Sequence, residues 1–175
     1  MDSIPGFRGF FRGRSMIKVG DKLPNTTFRT IEDGKTVART SDEIFKGKRV
    51  VLVGMPGAFT PTCHRNHLPG FIQNADSIRA KKVDAIAVTA ANDHWVMHSW
   101  GQHMGADGKL IFLADNNAEF AKAIGLDFDA SAGLGGTRSK RYSMLVEDGV
   151  VKILNIETET GKADVSGAEN LIKSL

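Results

Sequence analysis

The sequence predicts an α/β fold in which a mixed β-sheet is flanked by helices. Short runs rich in β-branched residues alternate with segments whose apolar residues recur every three or four positions. Near the end, two alternating runs flank Asp148-Gly149, a strong short hairpin signal. Successive strand–helix–strand units are right-handed crossovers that make a parallel core, and the hairpin adds antiparallel strands.

The elements follow in order. After a polar opening with a turn signal at Asp33-Gly34, the strongest strand is Arg49 to Gly54, whose Val50-Val51-Leu52-Val53 run suits burial. Leu68, Phe71, Ile72, Ala75 and Ile78 then mark an amphipathic helix to about Lys82. Pro69 falls inside it and lacks the amide that would bond the Arg65 carbonyl, which predicts a first turn kinked from the rest. Val83 to Thr89 is the next strand, and Asn92 or Asp93 caps a helix holding Trp95, Val96 and Trp100. Leu110 to Ala114 is a short strand. Asp115 caps the helix after it, with Phe120, Ala121 and Ile124 on one face and Gly125 near its end. Residues 127 to 140 read as a Gly- and Ser-rich loop. Arg141 to Glu147 and Val150 to Ile156 form the hairpin, and Ser166 with Glu169 is a capping box for a last helix through Leu175. Phe45, Phe59, Phe71, Phe112 and Phe120 lie in apolar runs and are expected in the core.

At 175 residues the chain fits one domain with a sizeable core, and no stretch approaches the roughly 20 apolar residues of a membrane span. The basic pI of about 9.1 is concentrated at the start. Arg8, Arg12 and Arg14 against Asp2 leave residues 1–15 at +2 of the total of +3. A nearly neutral body argues against nucleic acid as partner. Residues 1–15 read as a tag or unstructured leader, an organellar transit segment being the alternative, and residues 16–175 as the single folded domain.

Cys63 is the only cysteine, so no internal disulfide, Cys-x-x-Cys redox pair or structural zinc site can form, and a reducing compartment, the cytoplasm or an organelle matrix, is the natural home. It follows the Arg49–Gly54 strand through Pro56-Gly57-Ala58-Phe59-Thr60-Pro61-Thr62-Cys63, at a strand-to-helix junction. Unpaired amides and the positive end of the helix dipole favour an anion there, and the thiolate is the reactive form of a cysteine. The plainer reading is a small buried hydrophobe.

The spacing Pro56-x-x-x-Thr60-x-x-Cys63 resembles the peroxidatic motif of the peroxiredoxins. Val53 to Cys63, His67-Leu68-Pro69-Gly70-Phe71, Asn92-Asp93, Trp100-Gly101 and Lys140-Arg141-Tyr142-Ser143-Met144 resemble the subfamily of peroxiredoxin 5 and the plant type II enzymes, over essentially Ile17 to Leu175. The resemblance implies a thioredoxin-like fold and a homodimer. It also implies a catalytic set of Cys63 as nucleophile, Thr60, Arg141 and Pro56, with Gly57 and Phe59 joining Thr60, Cys63 and Arg141 around the substrate. No metal, flavin or haem is implied. Arg141 is chosen over Arg138 on its Lys-Arg-Tyr context. Chemically, Thr60 offers a hydroxyl near the sulfur, Pro56 a wall without an amide donor, and Arg141 a permanently charged fork.

The positions that carry a resolving cysteine in many relatives align with Val165 or Val88 here. The expected activity is therefore reduction of hydrogen peroxide and small alkyl hydroperoxides through a Cys63 sulfenic acid, resolved by an external thiol: glutathione, glutaredoxin or thioredoxin. A non-enzymatic sensor signalling through mixed disulfides at Cys63 is the alternative. His64 and His67 raise a Cys-His hydrolase as a rival class, and His94 with His98 has metal-ligand spacing without an accompanying carboxylate or cysteine cluster. Gly133-Leu134-Gly135-Gly136 lacks the spacing of a dinucleotide fingerprint and reads as a flexible loop near the site mouth.

Overall fold

The computed structural model describes residues 15–106 and 108–175, so the expected leader falls almost wholly outside them. Among the described residues nine strands form: β1 (Thr27–Glu32), β2 (Lys35–Thr40), β3 (Arg49–Gly54), β4 (Ala85–Ala90), β5 (Ile111–Ala114), β6 (Asp127–Asp129), β7 (Thr137–Ser139), β8 (Tyr142–Glu147) and β9 (Val150–Ile156). The helices are α1 (Ser41–Phe45), α2 (Leu68–Gln73), α3 (Ala75–Arg79), α4 (His94–His103), α5 (Glu119–Ala123) and α6 (Ala168–Ile172). Seven strands make one mixed sheet in the order β2-β1-β5-β4-β3-β8-β9. β3, β4 and β5 are parallel, and β8 runs antiparallel to β3. This is a thioredoxin-like fold with its mixed sheet between helices.

β3 lies at the centre of the layers, which explains its unbroken apolar run. Val51 and Val53 face the side packed by Leu68, Phe71, Ile78, Met97 and Trp100, whereas Val50 and Leu52 face Phe28, Phe45, Phe120 and Met144. The strand ends at Gly54, where a Cβ would lie 2.1 Å from the Tyr142 ring. Only glycine lets that ring lie across the strand end. Asp148 and Gly149 both have positive φ, 48° and 78°, as a two-residue hairpin turn matched to strand twist requires.

Several expectations change on inspection of the fold. The polar opening holds a hairpin, β1–β2, turned at Asp33-Gly34, followed by α1 with a Thr40–Glu43 capping box. The helix predicted through Lys82 is broken into a π-turn over Cys63–His67, then α2, then α3 after Asn74. The first turn is thus widened, with Pro69 in the first turn of the α-helical stretch that follows it. Residues 127–140 are not all loop, because β6 and β7 pair from Asp127↔Ser139 to Asp129↔Thr137. Ser166 does not cap the last helix; Gly167 is its N-cap, and both the Ser166 amide and hydroxyl donate to Glu157 at 2.9 Å. Asp93 does cap α4 through the Val96 amide. Asp115 binds the Phe120 and Ala121 amides at the start of α5 although Ala118 holds the N-cap position.

Candidate active site

The β3 strand delivers the chain to the end of the sheet, and Met55 through Thr62 cross its edge before the π-turn begins at Cys63. Pro56 and Gly57 are buried, and the Ala58 amide donates to Asn92 Oδ1 at 2.9 Å, pinning this loop to the segment before α4. The Thr60 hydroxyl donates to the Gly57 carbonyl at 2.7 Å, and the Thr60 carbonyl accepts from the His64 amide at 2.8 Å. The Thr60 side chain is thereby turned inward, its proton engaged and its lone pairs left as acceptors.

Cys63 is fully buried and unbridged. Arg141, directly before β8 and only 2% exposed, places Nη2 3.2 Å from Cys63 Sγ. A permanent positive charge at that distance in a shielded site favours a negative charge placed beside it. Arg141 is itself tightly held. Nη2 and Nε donate to the Thr160 carbonyl at 3.0 and 3.3 Å, and Nη1 donates to His67 Nδ1 at 3.1 Å.

His67 supplies the part that sequence reasoning did not assign. Its Nε2 lies 2.9 Å from the Ser166 carbonyl, and because arginine has no acceptor, Nδ1 must receive the Arg141 proton while Nε2–H donates to Ser166. Burial pushes the imidazole down to about 3, the Ser166 hydrogen bond opposing that shift and the nearby Arg141 charge reinforcing it. The ring is neutral at physiological pH. A closed circuit results: Arg141 side chain to His67, His67 to Ser166, Ser166 to Glu157, and the Glu157 amide back to the Arg141 carbonyl at 3.0 Å. The i,i+4 offset of His67 from Cys63 was the available signal; its partners, 74 and 99 residues away, were not visible.

The structure brings Cys63 and Arg141 into contact and places Pro56, Gly57 and Thr60 on the segment leading to the thiol. Phe59 departs from the core expectation. At 48% exposed and φ 61°, it lies over the rim, its ring 5.7 Å from His64 and 6.2 Å from Trp100. The other four phenylalanines named with it are buried. His64 is not arranged as a base for Cys63, since its Nδ1 accepts from Trp100 Nε1 at 3.0 Å. Among the described residues no group of three or more His, Cys, Asp or Glu is gathered to hold a metal ion.

The Redoxin family model matches residues 18–172. Peroxiredoxin-2E-2, chloroplastic, of Oryza sativa subsp. japonica is 46% identical over 165 residues, covering 91% of this chain and 72% of that protein. Peroxiredoxin-2F, mitochondrial, of Arabidopsis thaliana is 40% identical over 133 residues, covering 76% of this chain and 66% of that one. The crystal structure of reduced Prx3 in complex with H2O2 from Vibrio vulnificus superposes with a TM-score of 0.86 at 45% identity, covering 91% of this chain and 99% of the other. The chain belongs to the peroxiredoxins, thiol-dependent peroxidases, and within them to the type II branch in a form with one cysteine.

Proposed function

We propose that the protein reduces hydrogen peroxide and small alkyl hydroperoxides at Cys63 and is returned to its thiol by an external thiol reductant. The observation that carries this is the 3.2 Å contact between Arg141 Nη2 and Cys63 Sγ in a buried site. In the first step the Cys63 thiolate attacks one peroxide oxygen. An S–O bond forms, the O–O bond breaks, and the alkoxide or hydroxide leaves and takes up a proton as alcohol or water. Arg141 stabilises the charge on sulfur and then on the departing oxygen. The Thr60 hydroxyl, already donating to Gly57, accepts a peroxide O–H, and buried Pro56 adds no competing amide donor beside the sulfur.

The second step consumes the sulfenic acid. The positions that the resemblance aligns with a resolving cysteine are both valine, Val88 buried within β4 and Val165 on the surface, so neither offers a thiol. Glutathione, glutaredoxin or thioredoxin is the reductant class that fits, in the cytosol or an organelle matrix; chloroplastic and mitochondrial relatives support the organellar site. The family resemblance supports a homodimer as the working form. Among the described residues no helix is long and apolar enough to cross a membrane.

The test is stopped-flow mixing of reduced protein with hydrogen peroxide, with Cys63→Ser as control. A fast phase that disappears in the control, with sulfenic acid trapped on Cys63, is the expected result. Absence of any Cys63-dependent oxidation would overturn the reading.

A further inference from the structure

We propose that Arg138 recognises the carboxylate of the small thiol that reduces oxidised Cys63, an inference that rests on the peroxidase reading above. Arg138 lies on β7, opposite Phe128 in the two-stranded ribbon. Its Nη2 donates to the Leu134 carbonyl at 2.9 Å and its Nε to the Gly135 carbonyl at 3.2 Å. That loop is bound to itself, the Ala130 carbonyl accepting from the amides of Gly133, Leu134 and Gly135, so the guanidinium is clamped rather than free to sweep.

The remaining nitrogen faces the candidate active site. A Cβ on Gly57 would lie 3.3 Å from Arg138 Nη1 and 3.1 Å from the Thr60 methyl, so both side chains close on one point beside the loop that carries Pro56 and Thr60. Among the described residues Nη1 has no hydrogen-bond partner and Arg138 takes part in no ion pair. A fixed, permanently charged donor edge without a counter-ion beside the loop that carries Pro56 and Thr60 fits a carboxylate.

The reactants differ in which of them carries such a group. Hydrogen peroxide and simple alkyl hydroperoxides are neutral. A peptidic thiol of the glutathione class is anionic, and its sulfur has to reach a fully buried Cys63. In the step concerned, the thiol sulfur bonds to Cys63 Sγ and the S–O bond of the sulfenic acid breaks, the hydroxyl leaving as water with the thiol proton. A second thiol then attacks the mixed disulfide, releasing Cys63 as thiol and an oxidised thiol dimer. Docking the carboxylate at Arg138 raises the local concentration of the first thiol.

The experiment oxidises the full chain with one equivalent of hydrogen peroxide. It then measures single-turnover reduction by glutathione and by uncharged 2-mercaptoethanol in the parent, Arg138→Gln and Arg138→Lys. The expected result is a glutathione to 2-mercaptoethanol rate ratio about tenfold lower in Arg138→Gln and largely restored in Arg138→Lys. The parent's glutathione rate also falls with added salt, and that dependence flattens in the Gln variant. An unchanged ratio, or equal slowing with both thiols, overturns the proposal. A loss confined to oxidation by a carboxylate-bearing hydroperoxide, relative to tert-butyl hydroperoxide, assigns the group to the peroxide and overturns it as well. Failure of Cys63 to form a sulfenic acid removes the peroxidase reading too, whereas an unchanged ratio with normal sulfenic acid formation removes this proposal alone.

Discussion

Replacing His67 by glutamine should flatten the acid limb of the stability curve by one proton. His67 is 1% exposed, accepts from Arg141 at Nδ1 and donates to Ser166 at Nε2, and is held near 3 in the folded protein against 6.5 in the unfolded chain. The folded value is lowered, so the stabilisation from a neutral His67 is fully present above pH 6.5 and is lost as pH falls toward 3. Each pH unit inside that window costs about 1.4 kcal/mol, and from pH 7 to pH 4 the loss is about 3 kcal/mol. Glutamine can accept from Arg141 through its carbonyl and donate to Ser166 through its amide, yet it does not titrate. The assay is urea unfolding of reduced parent and His67→Gln at pH 7, 5 and 4. The parent should lose about 3 kcal/mol more than the variant across that range. Asp115, whose carboxyl burial shifts upward, contributes the opposite sign and is common to both proteins. Parallel declines would refute a neutral His67 as the acceptor for Arg141.

Three further outcomes are expected. Arg141→Ala should slow oxidation of Cys63 by peroxide about 100-fold or more while far-UV circular dichroism stays that of the parent; a near-normal rate removes Arg141 from the chemistry. Gly54→Ala should destabilise the protein by about 3 kcal/mol or more, read as a lower urea midpoint, because its Cβ would lie 2.1 Å from the buried Tyr142 ring at the end of β3. Peroxide in excess over reductant should drive Cys63 to sulfinic acid, measured by intact mass; arrest at sulfenic acid would show that something other than an external thiol protects it.

The parts of the fold written in local pattern were legible. The apolar run of β3, the alternation around Asp148-Gly149 and the cap at Asp93 each depend on residues within a few positions of one another. What depended on distant partners was not. The β6–β7 ribbon has three pairs and a Gly-rich connection, too short for alternation to emerge. Ser166 and Glu169 have capping-box spacing, but the Ser166 hydroxyl finds Glu157, nine residues upstream, and the box never forms. Phe59 carries a core side chain on a backbone with φ 61°, a conformation that composition does not announce. At the candidate site, Cys63 was marked by its place after β3, whereas Thr60 and the choice of Arg141 over Arg138 required the family resemblance. His67 needed the fold, since its meaning lies in Arg141 and Ser166 and not in its neighbours along the chain.

The hydrogen bond from Trp100 to His64 gives the molecule an internal optical gauge. Trp100 is fully buried and its indole nitrogen is 3.0 Å from the imidazole adjoining Cys63 in sequence, whereas Trp95 is 58% exposed to solvent. Trp100 is the indole tied to the turn that carries Cys63, so a change in emission on adding peroxide that is absent from Cys63→Ser would report the sulfur against the background from Trp95. Such a signal would need neither a dye nor a label.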